Sequence, residues 1–437
     1  MKLKKRNIKF LILALITFLL ISCAGRNEKP TLQVRDEVKT GAAGQVDNGK
    51  YILKVVLYPY IPVGPSGSLQ PMANRIESEF EGENPSIDLQ ILPIGYENDP
   101  YTTENLTKWL GAPVSDSGVH IVELDAVMLG FVTENSLVMP QDPSGFASDF
   151  HPAALSAVRI GDTSYGVPHW MCGNFIISPV EAITQSQNLD VLGKLLRENK
   201  DDSPYLSGNF RGSWTLPSLY LGAWACTYGP SNLQDALTGP LDAAVVGLLN
   251  TAASLCTDEA SANPCIDFTY KDNTQSMSDF AKGEYDGFIG FSESMNTIAQ
   301  QGVSSSDYYI GNFPFGNDNE QAYSLYYSDV FVIRQDCEGD CITATTAFIR
   351  YMIKLDTFKW IVKTEDSSTP AIPRYVIPSR EGVFDLPDIQ ADQYYQRIKV
   401  AIYSGSNTNF PNTGVLENND RLNEELTNRL NWPTKNK

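Results

Sequence analysis

The stretch FAKGEYDGFIG (residues 280–290) ends a predicted helix and enters a buried strand with no loop between them. Met277, Phe280 and Ala281 recur at helical spacing, which indicates one inward helix face. Gly283 is suited to end that helix, and an apolar strand follows at once. A second stretch, GDTSYGVP (residues 161–168), predicts a tight turn that leads into an extended segment. Both stretches predict direct junctions between elements.

The pattern around these junctions alternates strands with helices. YILKVVLYPYI (residues 51–61) predicts a strand, and Met72, Ile76 and Phe80 then recur at helical spacing. VHIVEL (residues 119–124) is a buried strand that runs into Asp125. SLYYSDVFVI (residues 324–333) predicts a later strand. Such alternation predicts an α/β fold with a parallel or mixed sheet that is covered on both faces.

The order of these elements resembles the type II periplasmic solute-binding proteins. That resemblance implies two α/β lobes with a ligand cleft between them, and the two junctions above lie where such chains cross between lobes. It implies that lobe 1 comprises residues 51–168 and 295–362 and that lobe 2 comprises residues 169–294 and 363–437. In open α/β folds the ligand lies at the carboxyl ends of the strands.

The N-terminal region predicts export. Residues 2–9 carry five Lys and Arg, residues 10–21 are mostly apolar, and the run ends in LISC at Cys23. This ending resembles the lipobox of bacterial lipoproteins, which implies a signal peptide over residues 1–22 and a lipid on the Cys23 sulfur. A plain signal peptide would need a small-x-small cleavage site, which is lacking. We therefore expect a flexible tether over residues 23–50 and a protein held on the periplasmic or outer side of a bacterial membrane.

The net charge and the cysteine content limit the possible partners and the possible metal or disulfide sites. The net charge of −19 argues against nucleic acid as a partner, because that partner requires a basic surface. Apart from Cys23 there are six cysteines, and two pairs lie in polar, turn-like segments that allow local disulfides: Cys256 with Cys265 and Cys337 with Cys341. Sequence alone does not fix this pairing. Cys226 lies in an apolar run, and we expect no metal site because no histidine is near either pair.

Reactive side chains stand at predicted strand ends and junctions. Each alone has a structural explanation, since a lone cysteine in an apolar strand is most often inert core packing. Together they suggest chemistry, because the Cys172 thiol needs a base and Glu293 follows an apolar strand that can raise its pKa. His169 lies three residues from Cys172, and an odd offset in a strand points to the opposite face. We therefore favour a Cys–Glu pair over a Cys–His pair.

The segments that carry these residues also resemble a specific family, the type I thiaminases (thiamine pyridinylases), over roughly residues 51–360. The matching segments, in order, are YPY (58–60), IVELDAVMLGFVTENSLVMP (121–140), YGVPHWMCGN (165–174), GFIGFSESM (287–295) and LYYSDV (325–330). The most specific are YGVP-x-x-x-C-x-N and GFSESM. The fold of that family is the solute-binding fold inferred above.

The resemblance implies a covalent mechanism without a cofactor. Cys172 would attack the thiamine pyrimidine with Glu293 as its base, the thiazole would leave, and a small amine or thiol would then displace the enzyme. It also implies that two acids hold the aminopyrimidine and that two aromatic side chains line the cleft; these are Asp125, Asp329, Tyr58 and Tyr327. This set suits a cationic substrate with two flat rings.

Two departures from the family pattern leave open a substrate other than thiamine, such as another pyrimidine-bearing compound. Phe291 stands where the family motif usually has tyrosine, and the stretch after YPYIP departs from the family's usual continuation. A lipid anchor also fits a receptor that delivers thiamine or a related compound to an ABC importer without altering it. A sugar-binding protein would need more tryptophan at the cleft than six in the whole chain readily provide. The thiol beside a base is what separates the enzyme from a receptor.

Overall fold

A computed structural model describes residues 46–47, 49–95, 98–199, 205–257, 262–270, 272–316, 323–366, 371–403 and 406–430. The predicted signal peptide (1–22), Cys23 and most of the predicted tether lie outside these residues. The last part of the tether is described, and it differs from the prediction. Val46–Asp47 pairs with Tyr51 and Lys50 as a short hairpin, which turns at Gly49 with a φ of 79°. Glycine adopts this left-handed conformation without steric cost.

Fourteen strands and sixteen α-helices are described. The strands are β1 (Val46–Asp47), β2 (Lys50–Val56), β3 (Ile87–Ile91), β4 (Ile121–Asp125), β5 (Arg159–Ile160), β6 (Thr163–Ser164), β7 (Val167–Gly173), β8 (Phe175–Ser178), β9 (Leu206–Ser207), β10 (Gly287–Gly290), β11 (Tyr309–Asn312), β12 (Tyr323–Ile333), β13 (Ile377–Pro378) and β14 (Ser406–Asn409). The helices are α1 (Gln70–Glu83), α2 (Thr103–Gly111), α3 (Leu129–Glu134), α4 (Pro152–Ala157), α5 (Glu181–Thr184), α6 (Leu189–Asn199), α7 (Thr215–Tyr228), α8 (Leu233–Thr238), α9 (Ala243–Ser254), α10 (Asn273–Ala281), α11 (Ser294–Ala299), α12 (Asp340–Met352), α13 (Leu355–Val362), α14 (Pro387–Gln390), α15 (Gln393–Tyr403) and α16 (Val415–Arg429).

The strands form two main sheets. The first has eight strands in the order β1-β2-β4-β12-β7-β13, with β3 beside β2 and β14 beside β12. The second has four strands in the order β11-β8-β10-β9, and β5 and β6 form a separate pair. Both main sheets are mixed. In the first, β2 runs parallel to β4 whereas β12 runs antiparallel to β4 and β7. In the second, β10 runs parallel to β9 but antiparallel to β8. This arrangement confirms the predicted mixed α/β architecture.

Two hydrophobic cores cover opposite faces of the sheets. Neighbouring residues of one strand alternate between the cores, as the two-residue period of a strand requires. Phe331 of β12 packs into one core and Val332 into the other. In the second sheet Phe288 and Ile289 of β10 divide in the same way. Each core therefore extends along both sheets, and β12 is buried along nearly its whole length because both of its faces are covered.

The chain crosses from the first sheet to the second soon after the predicted junction at residues 161–168, and it returns to the first sheet between β11 and β12. β7 belongs to the first sheet and β8 to the second, and only Asn174 separates them. At the other predicted junction, helix α10 leads into β10 through a short turn in which Gly283 has a φ of 77°. The chain does not change sheets there, because β9 before it and β10 after it both belong to the second sheet. Cys172 thus lies two residues before the backbone leaves the first sheet, whereas Glu293 lies three residues after the end of β10 in the second.

Sheet membership differs in places from the predicted lobe limits. β11 lies in a segment that was assigned to lobe 1 but pairs with β8 of the second sheet. β13 and β14 lie in a segment that was assigned to lobe 2 but pair with β7 and β12 of the first sheet. These edge strands have two to four residues, so their partners depend on distant hydrogen bonds that a sequence pattern does not reveal. The lobe limits as such stay a prediction.

Four of the described cysteines form two disulfides. The structure pairs Cys256 with Cys265 and Cys337 with Cys341 as disulfides. Cys226 is buried on α7, and its sulfur accepts the Tyr323 backbone N–H at 3.2 Å. Among the described residues, no single helix is long and apolar enough to cross a membrane, although Pro230–Thr238 together with α9, bent by 93°, passes the same test of length and composition.

Candidate active site

Two aspartates face each other at the centre of the first sheet. Asp125 ends β4, and Asp329 of β12 is its direct partner in the antiparallel register. Both are almost fully buried, at 4 % and 5 % exposure. Asp125 accepts the Tyr101 hydroxyl at 2.7 Å through Oδ2 and the Val127 backbone N–H at 3.1 Å through Oδ1. These bonds favour the ionised form of Asp125 over that of Asp329.

Burial sets the charge state of this pair. It raises the pKa of Asp125 from 3.8 to about 6, against the lowering effect of its two hydrogen bonds. The pKa of Asp329 is raised well above its usual range, by burial first and then by the negative charges of Asp125, Glu123 and Glu293. Two carboxylates in contact do not both ionise readily. At neutral pH we therefore assign the proton to Asp329 and the negative charge to Asp125.

The thiol of Cys172 lies beside this pair. Cys172 is the partner of Tyr327 in the register of β7 with β12, two residues from Asp329 along β12. Its side chain is partly accessible, and it is not in a disulfide. Burial raises the pKa of the thiol well above 9.0, and the negative charges of Glu293, Asp329 and Asp125 raise it further. The resting side chain is therefore a neutral thiol that needs a base to become a nucleophile.

Glu293 approaches from the second sheet. It follows β10 and immediately precedes α11, where its carboxylate accepts the Ser292 hydroxyl at 3.1 Å. Burial raises the pKa of Glu293 from 4.5 to about 7. A carboxyl group with this pKa can both accept and return a proton near neutral pH. Glu293 contributes to the electrostatic environment of Cys172, so the thiol and the carboxyl group belong to one site although different sheets hold them.

Aromatic side chains surround the polar groups. The Tyr58 and Tyr101 hydroxyls lie 2.9 Å apart, and because Tyr101 donates its proton to Asp125, Tyr58 must donate to Tyr101. Tyr327 stacks on Phe410 with ring centroids 4.5 Å apart and donates its hydroxyl to the Trp214 carbonyl at 3.2 Å. The Trp214 ring lies 5.5 Å from that of Tyr101. The site thus offers flat apolar walls around a buried pair of acids.

A buried Glu–His pair lies next to the site and bonds to the backbone of one of its residues. Glu123 precedes Asp125 by two residues and lies 2.5 Å from His169 Nδ1, and both side chains are at most 2 % exposed. The other oxygen of Glu123 accepts the Tyr58 backbone N–H at 3.0 Å. His169 lies at a register shift in the pairing of β7 with β12, opposite Asp329 and Val330. Such a bulge re-aims side chains, and here it turns His169 toward Glu123.

The structure brings together every predicted site residue that it describes. Tyr58, Asp125, Cys172, Glu293, Tyr327 and Asp329 share one site through the pairings, contacts and electrostatic effects given above. Cys23 lies outside the described residues. Sequence reasoning missed Tyr101, Trp214 and Phe410, since they lie in loops without periodicity and reach the site only through the fold. In the described part of the chain no group of three or more His, Cys, Asp or Glu is placed to hold a metal ion.

Comparisons with known proteins agree with this architecture. The chain matches no protein-family model. It is 23 % identical over 357 residues to thiaminase-1 of Paenibacillus thiaminolyticus, which covers 79 % of this chain and 80 % of that protein. A solved structure of Clostridium botulinum thiaminase I in complex with thiamin has a TM-score of 0.64 and 17 % identity, and it covers 86 % of this chain and 99 % of that one. The GacH receptor of Streptomyces glaucescens has a TM-score of 0.60 and 14 % identity, with 87 % and 92 % covered.

These similarities confirm the predicted fold. The chain has the two-lobed α/β fold of the type II periplasmic binding proteins, with a ligand cleft between the lobes. The same fold serves both an enzyme and a receptor among the similar structures, so fold alone does not separate these functions.

Proposed function

We propose that this protein is a thiaminase I-like transferase, which cleaves thiamine by replacing its thiazole with another nucleophile. The observation that carries the proposal is the Cys172 thiol placed among Glu293, Asp329 and Asp125 in an aromatic site. A receptor has no use for a thiol beside a carboxyl group whose pKa is near 7. The similarity to thiaminase-1 and to a thiaminase I solved with thiamin supports the choice of substrate.

The aspartate pair suits an aminopyrimidine. This ring offers an amino group that donates hydrogen bonds and ring nitrogens that accept them. A protonated Asp329 supplies a donor and an ionised Asp125 supplies an acceptor, so the two acids match both needs. Because each acid is buried, an unmatched polar edge would cost its full desolvation. The pair would therefore select aminopyrimidines over apolar rings of the same size.

The substrate's own charge would assist formation of the thiolate. The negative surroundings of Cys172 hold its thiol neutral in the free protein. Thiamine carries a permanent positive charge on its thiazolium ring, and a cation in the cleft offsets those carboxylates and lowers the pKa of the thiol. Glu293, ionised above about pH 7, then accepts the proton. The nucleophile would thus form only when substrate is bound.

Bond changes in the proposed first half-reaction balance without a cofactor. The Cys172 sulfur forms a bond to the pyrimidine carbon next to the ring nitrogen. The bond between the methylene carbon and the thiazolium nitrogen then breaks, and its electron pair leaves with the thiazole, which becomes neutral. The pyrimidine stays on the sulfur until an amine or thiol attacks the methylene carbon. The aromatic side chains around the site would limit the access of water to that intermediate.

Intact-protein mass spectrometry tests this proposal. The purified protein is incubated with thiamine alone and then with aniline, beside Cys172→Ser and Glu293→Gln. We expect a pyrimidine-sized mass increase on Cys172 that disappears when aniline is added, together with a base-exchanged product. Cys172→Ser should still bind thiamine but form neither adduct nor product. An unmodified protein whose melting temperature rises with thiamine would indicate the alternative function, a receptor for thiamine or a related compound that serves an ABC importer.

The proposal includes export and a lipid anchor at Cys23. The positive start, the apolar run and the LISC ending support it, and so do the two disulfides, since disulfides persist in oxidising compartments. Expression of the full chain beside Cys23→Ala tests the anchor by detergent phase partition. We expect the unchanged chain in the detergent phase and Cys23→Ala in the aqueous phase. Equal partition of both would contradict lipidation.

A further inference from the structure

One short segment, residues 372–378, contacts three separate elements of the site. It lies between α13 and α14 and ends with β13, and we call it the connector. Its strand pairs with β7, where Ile377 is the partner of Met171, the residue before Cys172. The connector therefore lies directly beside the strand that holds the thiol.

The second contact of the connector is with the helix that begins after the base. Asn296 lies on α11, three residues after Glu293, and its backbone N–H donates to the Glu293 carbonyl at 3.0 Å. The side-chain amide of Asn296 donates to the carbonyls of Pro373 at 2.9 Å and of Ile372 at 3.3 Å. Asn296 is only 2 % exposed, so these bonds are made away from solvent. This asparagine joins the backbone of the base to the connector.

The third contact is with the loop that follows β2 and carries part of the aromatic wall. Arg374 is fully buried, and its Nε donates to the carbonyl of Pro62, four residues after Tyr58, at 2.8 Å. Its two terminal nitrogens donate to the two oxygens of Asp366 at 2.8 Å and 2.9 Å. Such a bidentate pair fixes the direction of the guanidinium, because an unpaired charge in the interior is costly. The loop after Tyr58 is therefore tied to the connector.

The backbone of the connector is held in an unusual conformation. Tyr375 has a φ of 55°, which a residue with a bulky side chain rarely adopts. Its hydroxyl donates to the Ser305 hydroxyl at 2.6 Å, and its ring lies 5.0 Å from that of Tyr394. Backbone strain of this kind persists only where the surrounding structure fixes the residue, and it is concentrated at functional sites. Tertiary contacts therefore fix the path of the connector.

We propose that the connector is a positioning element for the transfer reaction, and that Asn296 is the positioning residue that holds Glu293 within reach of Cys172. This inference rests on the proposed function. The thiol and the base belong to different sheets, so strand pairing alone does not set their separation. The connector joins them, because it pairs with β7 and also accepts the Asn296 amide. A small displacement of a reacting group costs a large factor in rate.

The position of Glu293 also determines how far its carboxyl group is removed from water. Burial raises the pKa of Glu293 to about 7. Its charge in turn raises the pKa of Cys172 of β7, Asp329 of β12 and Tyr394 of α15, which are the titratable groups that face it. Without the Asn296 amide, water can enter beside the carboxyl group, and its pKa then falls toward 4.5. A displaced base is therefore visible in the pH dependence of the rate.

Asn296→Ala tests the inference, with Thr364→Val as the matched control. Thr364 donates its hydroxyl to the same Ile372 carbonyl at 2.8 Å, but it follows α13 and not Glu293. In Asn296→Ala, adduct formation at saturating thiamine should slow about tenfold or more, while the half-saturating thiamine concentration stays within about twofold. The midpoint of the pH–rate profile should shift down by about one pH unit. Thr364→Val should keep both the rate and the midpoint, and rapid-quench mass spectrometry measures them.

Three results would overturn the inference. The first is a rate and a midpoint in Asn296→Ala that match those of the unchanged protein. The second is an equal loss of rate and an equal shift in Thr364→Val, since any loosening of the connector would then suffice. Asn296→Ser replaces Asn296→Ala if the latter does not fold. Failure of both variants to fold, the third result, would assign Asn296 to stability alone.

A measurement without turnover separates this inference from the proposed function. Glu293→Gln should stabilise the folded protein at high pH less in the Asn296→Ala background than in the unchanged background, because the carboxyl group that it replaces is then less buried. A protein that forms no adduct but shows this difference would reject the transferase and keep Asn296 as the residue that positions Glu293. Equal stabilisation in both backgrounds would reject the positioning role.

Discussion

Replacing Glu293 with Gln should stabilise the folded protein at high pH and leave it almost unchanged at low pH. The folded state raises the pKa of Glu293 from 4.5 to about 7, so folding makes the ionised form less favourable. At about 1.4 kcal/mol for each tenfold change in proton affinity, this rise corresponds to about 3 kcal/mol. The side chain is only partly covered, and solvent in the cleft screens part of that energy. We therefore expect Glu293→Gln to raise the free energy of unfolding at high pH by about 2 to 3 kcal/mol.

The sign follows from proton linkage. Below about pH 4.5 the carboxyl group is protonated in both the folded and the unfolded chain, and it contributes nothing. As the pH rises from 4.5 to about 7, the unfolded chain ionises first, so the cost to folding grows and then stays constant. A glutamine has no such cost and can still accept the Ser292 hydroxyl.

Urea denaturation at pH 4.5, 6 and 8 measures the effect. Glu293→Gln should raise the free energy of unfolding by about 2 to 3 kcal/mol at pH 8 and by less than about 0.5 kcal/mol at pH 4.5. Glu134→Gln is the matched control, because Glu134 is exposed at the end of α3. A stabilisation that is equal at all three pH values, or a loss of stability at pH 8, would refute the reasoning.

Three other predictions follow from the site. The rate of thiamine cleavage at low substrate should fall as the pH drops below about 7, because Glu293 takes up the proton that it must accept from Cys172; a flat pH–rate profile between 6 and 8 would contradict this. Tyr101→Phe should raise the KM for thiamine about tenfold or more, since Asp125 loses a hydrogen bond to its charged form, and steady-state kinetics at pH 7.5 would check it. Glu123→Gln should lower the free energy of unfolding by about 2 kcal/mol in urea, since glutamine keeps only one of the two oxygens that face His169 and the Tyr58 backbone N–H, and an unchanged midpoint would contradict this.

The sequence predicted those parts of the site that lie on strands and at their ends. Asp125, Cys172, Tyr327 and Asp329 belong to apolar segments, which predict buried strands. Glu293 follows directly after such a run. Local pattern places these residues on strands or at strand ends because β4, β7, β10 and β12 are all apolar. The roles of Asp125, Tyr327 and Asp329 were predicted from the resemblance to the type I thiaminases and not from the pattern.

The remaining parts depend on distant pairings. Phe410 reaches Tyr327 only because it follows β14, a four-residue strand parallel to β12. Tyr101 precedes α2 in a loop, and Trp214 precedes α7 in another, so neither has a periodic signal. The partner of His169 depends on a bulge in β7, which is a property of two strands together. Such contacts arise from tertiary structure and are not encoded in any one segment.

The junction at Asn174 has a consequence for how reactivity is timed. The ladder of the first sheet holds Gly173 against Tyr326, and the ladder of the second holds Phe175 against Gly290. The Cys172 sulfur is therefore fixed to the first sheet, whereas its proton acceptor, Glu293, is fixed to the second. A hinge movement that separates the sheets would remove the proton acceptor from the thiol and, at the same time, expose the thiol to solvent. The rate at which iodoacetamide labels Cys172 would then report the fraction of time that the protein spends open between turnovers.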